Sequence, residues 1–348
     1  MTAHPRGFAS DNNSGAHPDV LAAIAEANDG HVPAYGDDDR TAAARERFRE
    51  HFGEQSEAFL VFNGTGANVL ALQALARPHQ AVICPETAHL NVDECGAPER
   101  IAGVKILPAP TPDGKLTAEL VAERLTRFGD QHASQPRVVS ISESSELGTV
   151  YTPDEIGALA EHAHRHEMLL HMDGARLANA AAALELPLRA LTVDVGVDVL
   201  SFGGTKNGLV LGDAIVFLRP ELSRDFLFIR KQSMQLASKM RFLAAQFDAL
   251  LVGDLWHRNA SHANAMARRL AEAISGVDGA KLAYPVEANG VFVTLPATAI
   301  ERLRASLPAE LPFYVWDEAA GTVRLMCSWD TTEEDVDGLT AALAAALS

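Results

Sequence analysis

A chain of 348 residues, 47% of them hydrophobic and 6% aromatic, has an ordinary globular composition and is long enough for two packed units. Its formal net charge of −17 argues against nucleic-acid or acidic-lipid binding, because both polyanions would be repelled. We expect neither a signal peptide nor a membrane span. The spacing of Cys84, Cys95 and Cys327 fits no disulfide framework or zinc site, which favours a reducing cytoplasm.

Strand and helix patterns alternate along the first part of the chain. A helix is predicted after Thr152, because Thr152 and Glu155 have capping-box spacing and Pro153 stands at the first helical position. The alternation predicts an α/β fold, with a mostly parallel sheet covered by helices on both faces. Short apolar runs predict the strands: EAFLVF at 57–62, AVIC at 81–84, VKILPA from 104, RVVSIS at 137–142 and MLLHM at 168–172.

The pattern changes toward the C-terminus. The run DAIVFL at 213–218 follows its neighbour too closely for a crossover helix, so we expect an antiparallel strand there. Beyond Trp256, a helix over about 257–274, a hairpin and a helix from about Thr332 predict a smaller α+β domain. We therefore predict a large domain over residues 1–252, with an N-terminal arm of about residues 1–20, and a small domain over 253–348.

Ligands of parallel sheets bind beyond the carboxyl ends of the strands, so residues that follow the predicted strands are candidate site residues. NGTGAN at 63–68 opens a helix and suits an anion, although glycine turns before helices are common without a ligand. His89 is by itself more typical of a packing residue. Asp173 and Arg176, in DGAR, are either site residues or a structural ion pair. Lys206 lies in the glycine-rich turn GGTKNG.

Taken together, these four features match the requirements of pyridoxal phosphate. The cofactor needs a lysine, here Lys206, for a Schiff base with its aldehyde. It needs an aspartate, here Asp173, to keep its pyridine nitrogen protonated. It also needs donors for its phosphate, and an aromatic ring often stacks on its face. The glycines around Lys206 would let the amine approach the cofactor. No pattern of metal ligands accompanies these residues.

Longer segments resemble the bacterial low-specificity L-threonine aldolases, which are fold type I (aspartate-aminotransferase-like) pyridoxal-phosphate enzymes. The resemblance covers almost the whole chain. It implies cleavage of L-threonine, L-allo-threonine and related L-β-hydroxy-α-amino acids to glycine and an aldehyde such as acetaldehyde. The segments that carry it are DNNSG, AYGDDDRT, FNGTGAN, ETAHLNVDECGAPE, LHMDGARLANA, FGGTKNG, QLASKMRF, PVEANGVF and RLMCSWDT.

The resemblance also implies roles for individual residues. Lys206 would form the Schiff base, Asp173 would pair with the pyridine nitrogen, and His89 would stack on the cofactor ring. The phosphate would be held by the backbone N–H groups of Gly64, Thr65 and Gly66. The substrate carboxylate would be bound by Ser10, Arg176 and Arg324, since arginines match a carboxylate bidentately.

Two further positions imply an oligomer. Arg241 resembles an arginine that reaches a phosphate across a subunit interface, and Tyr35 lies in a loop that approaches a neighbouring site in the family. The family is commonly tetrameric, built from dimers that share active sites. A small amino acid is therefore the expected ligand, and a second copy of the chain is the expected partner.

One position departs from the family pattern. Many members have a histidine near the β-hydroxyl where this chain has Glu146, in ESSELGTV. The identity of the base that removes the hydroxyl proton is therefore left open by the sequence. The candidates are His89, with support from Asp93 four residues later, a water bound by His89, and Glu146 itself.

The sequence is also compatible with other functions. The same scaffold supports aminotransferases, decarboxylases and β-eliminating lyases, which share the lysine and the aspartate. A nucleotide-binding α/β protein would use NGTGAN as its phosphate loop and Lys206 as a phosphate ligand, but an acidic ribose ligand at convincing spacing is missing. A non-catalytic relative would be marked by loss of Lys206 or Asp173, and both are present.

Overall fold

A seven-stranded mixed sheet forms the centre of the larger part of the structure. The computed structural model describes residues 6–308, 311 and 313–348. The strands lie in the order β1-β7-β6-β5-β4-β2-β3; β7 is antiparallel to β1 and β6, and the other neighbouring pairs are parallel. The predicted fold class and the antiparallel strand are confirmed. The strands are β1 Glu57–Val61, β2 Gln80–Pro85, β3 Lys105–Ala109, β4 Gln135–Ser142, β5 Leu169–Gly174, β6 Val199–Gly203 and β7 Asp213–Phe217.

Helices cover both faces of this sheet. Side chains alternate along a strand, so Val138 and Val139 of β4 belong to different apolar clusters. One cluster includes Phe48 and Phe247, and the other includes Leu72. The helices of this part are α1 Pro18–Glu26, α2 Asp39–Phe52, α3 Gly64–Leu75, α4 His89–Val92, α5 Ala118–Ala122, α6 Pro153–Arg165, α7 Leu177–Ala183, α8 Phe226–Gln232 and α9 Arg241–Leu251.

The C-terminal part contains a four-stranded antiparallel sheet with the order β10-β11-β9-β8. The predicted long helix, hairpin and final helix are confirmed, and Thr332 caps the final helix. The long helix packs on both parts, because Trp256 belongs to a core cluster of the large sheet and Leu270 to that of the small sheet. The division at residues 252 and 253 stays a prediction. The elements are α10 Leu255–Ser275, β8 Lys281–Leu282, β9 Gly290–Thr294, α11 Ala297–Ser306, β10 Tyr314–Asp317, β11 Thr322–Met326 and α12 Glu333–Leu347.

Membrane-spanning helices, thiols and metal-binding clusters bear on the class of the protein. Within the described ranges, no helix combines the length and the apolar character needed to cross a bilayer. Cys84, Cys95 and Cys327 are free thiols, and the first and last of them are buried. The same ranges contain no group of three or more His, Cys, Asp or Glu side chains arranged to hold a metal ion.

The capping box predicted at Thr152 starts helix α6. The Thr152 hydroxyl accepts from the backbone N–H of Glu155 at 3.2 Å, and the Glu155 carboxylate accepts from the backbone N–H of Thr152 at 2.7 Å. These bonds satisfy two polar groups that the first turn of a helix leaves open. Because α6 leads directly into β5, the cap helps to place the strand that carries Asp173.

We expect Thr152→Ala to lower the free energy of unfolding by about 1 kcal/mol, because the variant loses the N-cap hydrogen bond. Urea denaturation at fixed protein and ligand concentration measures the change. The matched control is Thr298→Ala, which removes an exposed threonine from the first turn of α11, where the N-cap is Pro296. Equal midpoints for the two variants would show that the cap contributes nothing.

Candidate active site

Two adjoining cavities open at the carboxyl edge of the large sheet. The inner one has a volume of about 210 Å³ and the outer one about 570 Å³, and His89, Glu146 and Lys206 line both. The inner cavity is also lined by Asn12, Asn63, Gly64, Thr65, Asn68, Asp173, Ala175, Thr205 and Asp213. The outer cavity is also lined by Ser10, Asn12, Glu86, Thr87, Val92, Asp93, Arg176, Tyr314, Val315, Trp316 and Arg324.

The turn that carries Lys206 needs glycine for two physical reasons. A Cβ at Gly203 would lie 2.5 Å from the carbonyl oxygen of Ala175, so only glycine lets β6 approach the segment after β5. Gly208 has a φ of 100°, which disfavours other residues. The Asp213 carboxylate accepts from the backbone N–H of Gly204 at 3.0 Å and so ties this turn to β7.

The N-terminus of α3 faces the inner cavity, at the place where the sequence predicts an anion cradle. Asn63 caps the helix, and its side-chain oxygen accepts from the backbone N–H of Gly66 at 2.8 Å. Gly64 and Thr65 line the inner cavity, and first-turn N–H groups have no partner within their own helix. A Cβ at Gly66 would lie 2.8 Å from the Gln235 side chain. Gly66 therefore allows close packing, while Gly64 and Thr65 face the cavity.

Asp173 stands at the end of β5 with its carboxylate held on both oxygens. Its Oδ1 accepts from the backbone N–H of Ala175 at 3.0 Å, and its Oδ2 accepts from the Asn68 amide at 2.7 Å. Two residues earlier on the same face of the strand, His171 bonds to Ser140 and Ser201 at 2.9 and 3.0 Å. Burial lowers the pKa of His171 to about 4, so a neutral imidazole lies behind the carboxylate.

His89 is supported by Glu94, and the predicted support from Asp93 is wrong. His89 Nδ1 lies 3.0 Å from Glu94 Oε1, and the Glu94 side chain is 0% exposed. A residue four positions later would share a helical face, but α4 ends at Val92 and Asp93 is its C-cap. The chain then turns, so the fifth residue reaches the ring. The Glu94 hydrogen bond raises the pKa of His89 against the effect of burial.

Arg176 pairs with Asp11 and not with Asp173. Its Nε and Nη2 donate to the two oxygens of Asp11 at 2.7 and 3.0 Å, and Asn289 donates to the same carboxylate at 3.0 Å. Burial alone would raise the pKa of Asp11, but the charge and hydrogen bonds of Arg176 hold it at about 2. Arg176 also lines the outer cavity, and Nη1 is the nitrogen that Asp11 leaves open.

Arg324 is the second arginine of the outer cavity. Its guanidinium carbon lies 5.0 Å from the ring centre of Tyr314 and 5.2 Å from that of Trp316. Nη2 donates to the Ala9 carbonyl at 3.4 Å, whereas Nε is buried and has no hydrogen-bond partner among the described residues. Burial and the nearby Arg176 lower the pKa of Arg324. A half-buried guanidinium that has no anionic partner among the described residues is suited to bind an anionic ligand.

The structure brings most of the predicted site residues together. Ser10, Asp93 and Glu146 line the outer cavity, whereas Tyr35 and Arg241 are not among the described residues that line either cavity. The proposed roles of all these residues stay predictions. The residues that sequence reasoning missed lie on several kinds of element, including helix α3, the strands β7 and β10 and the segments between elements: Asp11, Asn12, Asn68, Glu94, Asp213, Asn289, Tyr314 and Trp316.

Some of these missed residues had a signal in the sequence. Asp11 and Asn12 lie in DNNSG and Asn289 lies in PVEANGVF, both of which are segments of the family resemblance. Asn68 is the last residue of NGTGAN and lies one helical turn after Gly64. It therefore shares the face of α3 that meets the strand ends. Glu94 lies in another of these segments, ETAHLNVDECGAPE, but its contact with His89 could not be read from that segment, because it depends on where α4 ends.

The arrangement has defined chemical abilities. The cradle of α3 can bind an anion, Asp173 can accept from a protonated ring nitrogen, and the Lys206 amine can attack an electrophilic carbon in the same cavity. Arg176 and Arg324 can bind a carboxylate in the adjoining cavity.

Comparison with known proteins agrees with this geometry. Residues 7–298 match the family model of the beta-eliminating lyases. The chain is 50% identical to a low specificity L-threonine aldolase of Pseudomonas aeruginosa, over 97% of this chain and 96% of the relative. It is 46% identical to a low specificity L-threonine aldolase of a Pseudomonas species, over 100% of both chains.

A solved structure shares the same fold over nearly the whole chain. It is the threonine aldolase of Leishmania major, with a TM-score of 0.91 and 30% identity, and the match covers 99% of this chain and 100% of that one. The family match, the near-complete coverage of relatives and the shared architecture all point to one assignment. The chain belongs to the beta-eliminating lyase family and, within it, to the group of the low specificity L-threonine aldolases.

Proposed function

We propose that this protein is a pyridoxal-phosphate enzyme that cleaves L-threonine and L-allo-threonine, and related L-β-hydroxy-α-amino acids, to glycine and an aldehyde. The observation that carries the proposal is the convergence of Lys206 and Asp173 on one cavity, with Arg176 and Arg324 in the cavity beside it. Near-complete coverage of threonine aldolases at 46% and 50% identity supports the reaction type.

The residues present fit pyridoxal phosphate. Gly64 and Thr65 at the start of α3 would bind its phosphate, and Asp173 would accept from its ring nitrogen. His89 would pack on the ring, and Lys206 would attach to the aldehyde carbon. When bound, the cofactor supplies an electron-withdrawing ring that stabilises negative charge on the substrate α-carbon.

The outer cavity supplies the contacts for the amino acid. Arg324, whose Nε is buried without a partner among the described residues, would bind the carboxylate together with Nη1 of Arg176. Ser10 lines the same cavity and would donate its hydroxyl. His89 and Glu146 line the side shared by both cavities, so each could accept the β-hydroxyl proton directly or through a water.

We also propose that the active enzyme is a homo-oligomer, expected to be a tetramer of two dimers with shared sites. The Tyr35 N–H donates to the Ser238 carbonyl at 2.9 Å, and Arg241 donates to the Gly30 carbonyl at 3.2 Å. Tyr35 and Arg241 therefore share one surface and would act on the site of a second copy. Nearby in sequence, Phe228 and Met234 are 74% and 82% exposed, and such apolar exposure is typical of an interface.

We propose a cytoplasmic location for the protein and small molecules as its ligands. Three free cysteines fit the reducing cytoplasm that the sequence favours. A net charge of −17 disfavours nucleic acid as a partner, so the expected ligands are the cofactor and a small amino acid.

We expect Lys206→Ala to lose cleavage of L-threonine by about a thousandfold or more, because the covalent attachment point is gone. Equal formation of glycine and acetaldehyde measures the reaction. Borohydride reduction followed by mass spectrometry measures attachment of the cofactor, which should occur in the parent and not in the variant. The control is Lys281→Ala, which removes an exposed lysine of β8. A Lys206→Ala variant that keeps both activity and attachment would contradict the proposal.

We expect Arg324→Ala to raise KM for L-threonine by about tenfold to a hundredfold, since a charged hydrogen bond to the carboxylate is lost. The kcat should change less, because the contact exists before and during the reaction. Steady-state kinetics with saturating cofactor separate the two effects. Arg304→Ala, at an exposed arginine of α11, is the matched control. An unchanged KM would remove Arg324 from the substrate site.

We expect Phe228→Glu to reduce the assembly to smaller species, because a charge in an apolar interface is costly to bury. Analytical ultracentrifugation of the parent and the variant measures the mass. The control is Phe128→Glu, at a residue that is 56% exposed in the loop after α5. A monomeric parent, or a variant with the mass of the parent, would argue against an interface at Phe228.

A further inference from the structure

A continuous hydrogen-bonded chain links His89 to Asp173. His89 Nδ1 lies 3.0 Å from Glu94 Oε1. The Asn68 amide donates to the same Glu94 oxygen at 2.8 Å and also donates to Asp173 Oδ2 at 2.7 Å. These hydrogen bonds join α3, the turn after α4 and the end of β5. Glu94 and Asn68 are buried, so water does not compete for these bonds.

These hydrogen bonds determine which nitrogen of His89 faces the cavity. Burial raises the pKa of Glu94, whereas the hydrogen bonds with His89 and Asn68 favour its ionised form. An ionised Glu94 can only accept, so His89 Nδ1 then carries the hydrogen that Glu94 receives. Asn68 turns its amide toward both carboxylates, which is the orientation that two acceptors require. The Nδ1 edge of the ring is held by a buried group, while His89 lines both cavities. Nε2 is therefore the nitrogen available to a ligand, and in the neutral ring it is an acceptor.

We propose that Glu94 is a positioning residue that holds His89 as the base for the β-hydroxyl, with Asn68 fixing Glu94 relative to Asp173. The proposal rests on the aldolase function proposed above and deepens it. In the step assigned to His89, the hydroxyl proton moves from the substrate oxygen to Nε2. The oxygen electron pair forms the aldehyde carbonyl, the Cα–Cβ bond breaks, and its electron pair stays on Cα. A proton returned to Cα then completes glycine.

Glu146 is the competing candidate and is held differently. It lines both cavities, but within the described ranges its carboxylate receives no hydrogen bond. His89 has a fixed ring orientation, and a base must be held in place to act efficiently. The charged groups closest to His89 include Glu94 in the adjoining turn, Asp173 at the end of β5, Glu146 in the loop after β4 and Lys206 after β6. Further charged groups line the outer cavity together with His89, namely Glu86, Asp93, Arg176 and Arg324.

The direction of the pH effect follows from these charges. The hydrogen bond to Glu94 raises the pKa of His89, with smaller contributions from Asp173 and Glu146. The base must be unprotonated, so activity falls as the pH drops through the His89 pKa. Removing the charge of Glu94 lowers that pKa, and the acid limb of the kcat/KM profile should move to lower pH.

The experiment uses Glu94→Gln and Glu94→Ala in the full chain. Gln keeps an acceptor for Nδ1 and removes the charge, whereas Ala removes both. The nitrogen-15 spectrum of the protein without cofactor, with labelled histidine, reports the His89 tautomer and its titration. Comparison with His89→Asn identifies its signals among the 13 histidines. The parent should show Nδ1–H with Nε2 bare, and Glu94→Gln should keep this tautomer but titrate at lower pH.

Kinetics of the cofactor-loaded enzymes supply the second measurement. We expect Glu94→Ala to lose about tenfold or more in kcat, as part of the roughly 10²–10⁴-fold that a placed general base supplies. KM for L-threonine should stay close to that of the parent, because Glu94 does not line the outer cavity. The control is Glu99→Gln, which neutralises an exposed carboxylate in the following turn.

Several outcomes would overturn the proposal. A neutral His89 that carries its hydrogen on Nε2 would show that Glu94 donates instead of accepting. An acid limb that is unmoved in Glu94→Gln but moved in Glu146→Gln would assign the base to Glu146. A parent that attaches the cofactor yet leaves L-threonine intact would instead refute the aldolase function. The nitrogen-15 spectra would still decide the role of Glu94 in that case.

Discussion

The buried ion pair between Asp11 and Arg176 connects three distant parts of the chain. Arg176 follows β5 of the large sheet, Asp11 belongs to the N-terminal segment, and Asn289 of the C-terminal part donates to the same carboxylate. Asn289 also donates to the Cys327 carbonyl at 2.8 Å. Because both charges are buried, loss of one partner would cost about 3–5 kcal/mol. Because Arg176 lines the outer cavity, this contact holds one part of the cavity wall in place.

Charge compensation explains how so many ionisable groups share a small space. Asp11 neutralises Arg176, and hydrogen bonds from Asn68 and Ala175 support the Asp173 carboxylate. Arg324 has two aromatic rings beside it but no carboxylate bound to it among the described residues. Arg324 is thus a cation of the outer cavity that has no ionic partner among the described residues. Arg324 can therefore bind a carboxylate without the loss of an internal ion pair.

Much of the fold and part of the site could be predicted from the sequence because both depend on local rules. Apolar runs with turn residues at their ends located the strands, and the parallel arrangement placed Lys206 and Asp173 at one edge. The partner of His89 could not be predicted in this way. Helical spacing favoured Asp93, but α4 stops after four residues and the chain turns, so Glu94 takes that place. Where a short helix ends depends on packing as much as on its own residues.

The sequence by itself determined the residue types that carry the chemistry and their order along the chain. A lysine in a glycine turn, an aspartate after a buried strand and a glycine-rich helix start are local features, and local steric rules suffice to recognise them. The tertiary structure alone decided which polar groups became partners. Asp11 with Arg176, and Asn68 with Glu94 and Asp173, are 165, 26 and 105 positions apart. Such pairs form because buried polar groups must find partners among whatever side chains the fold brings close, and sequence separation does not limit that choice.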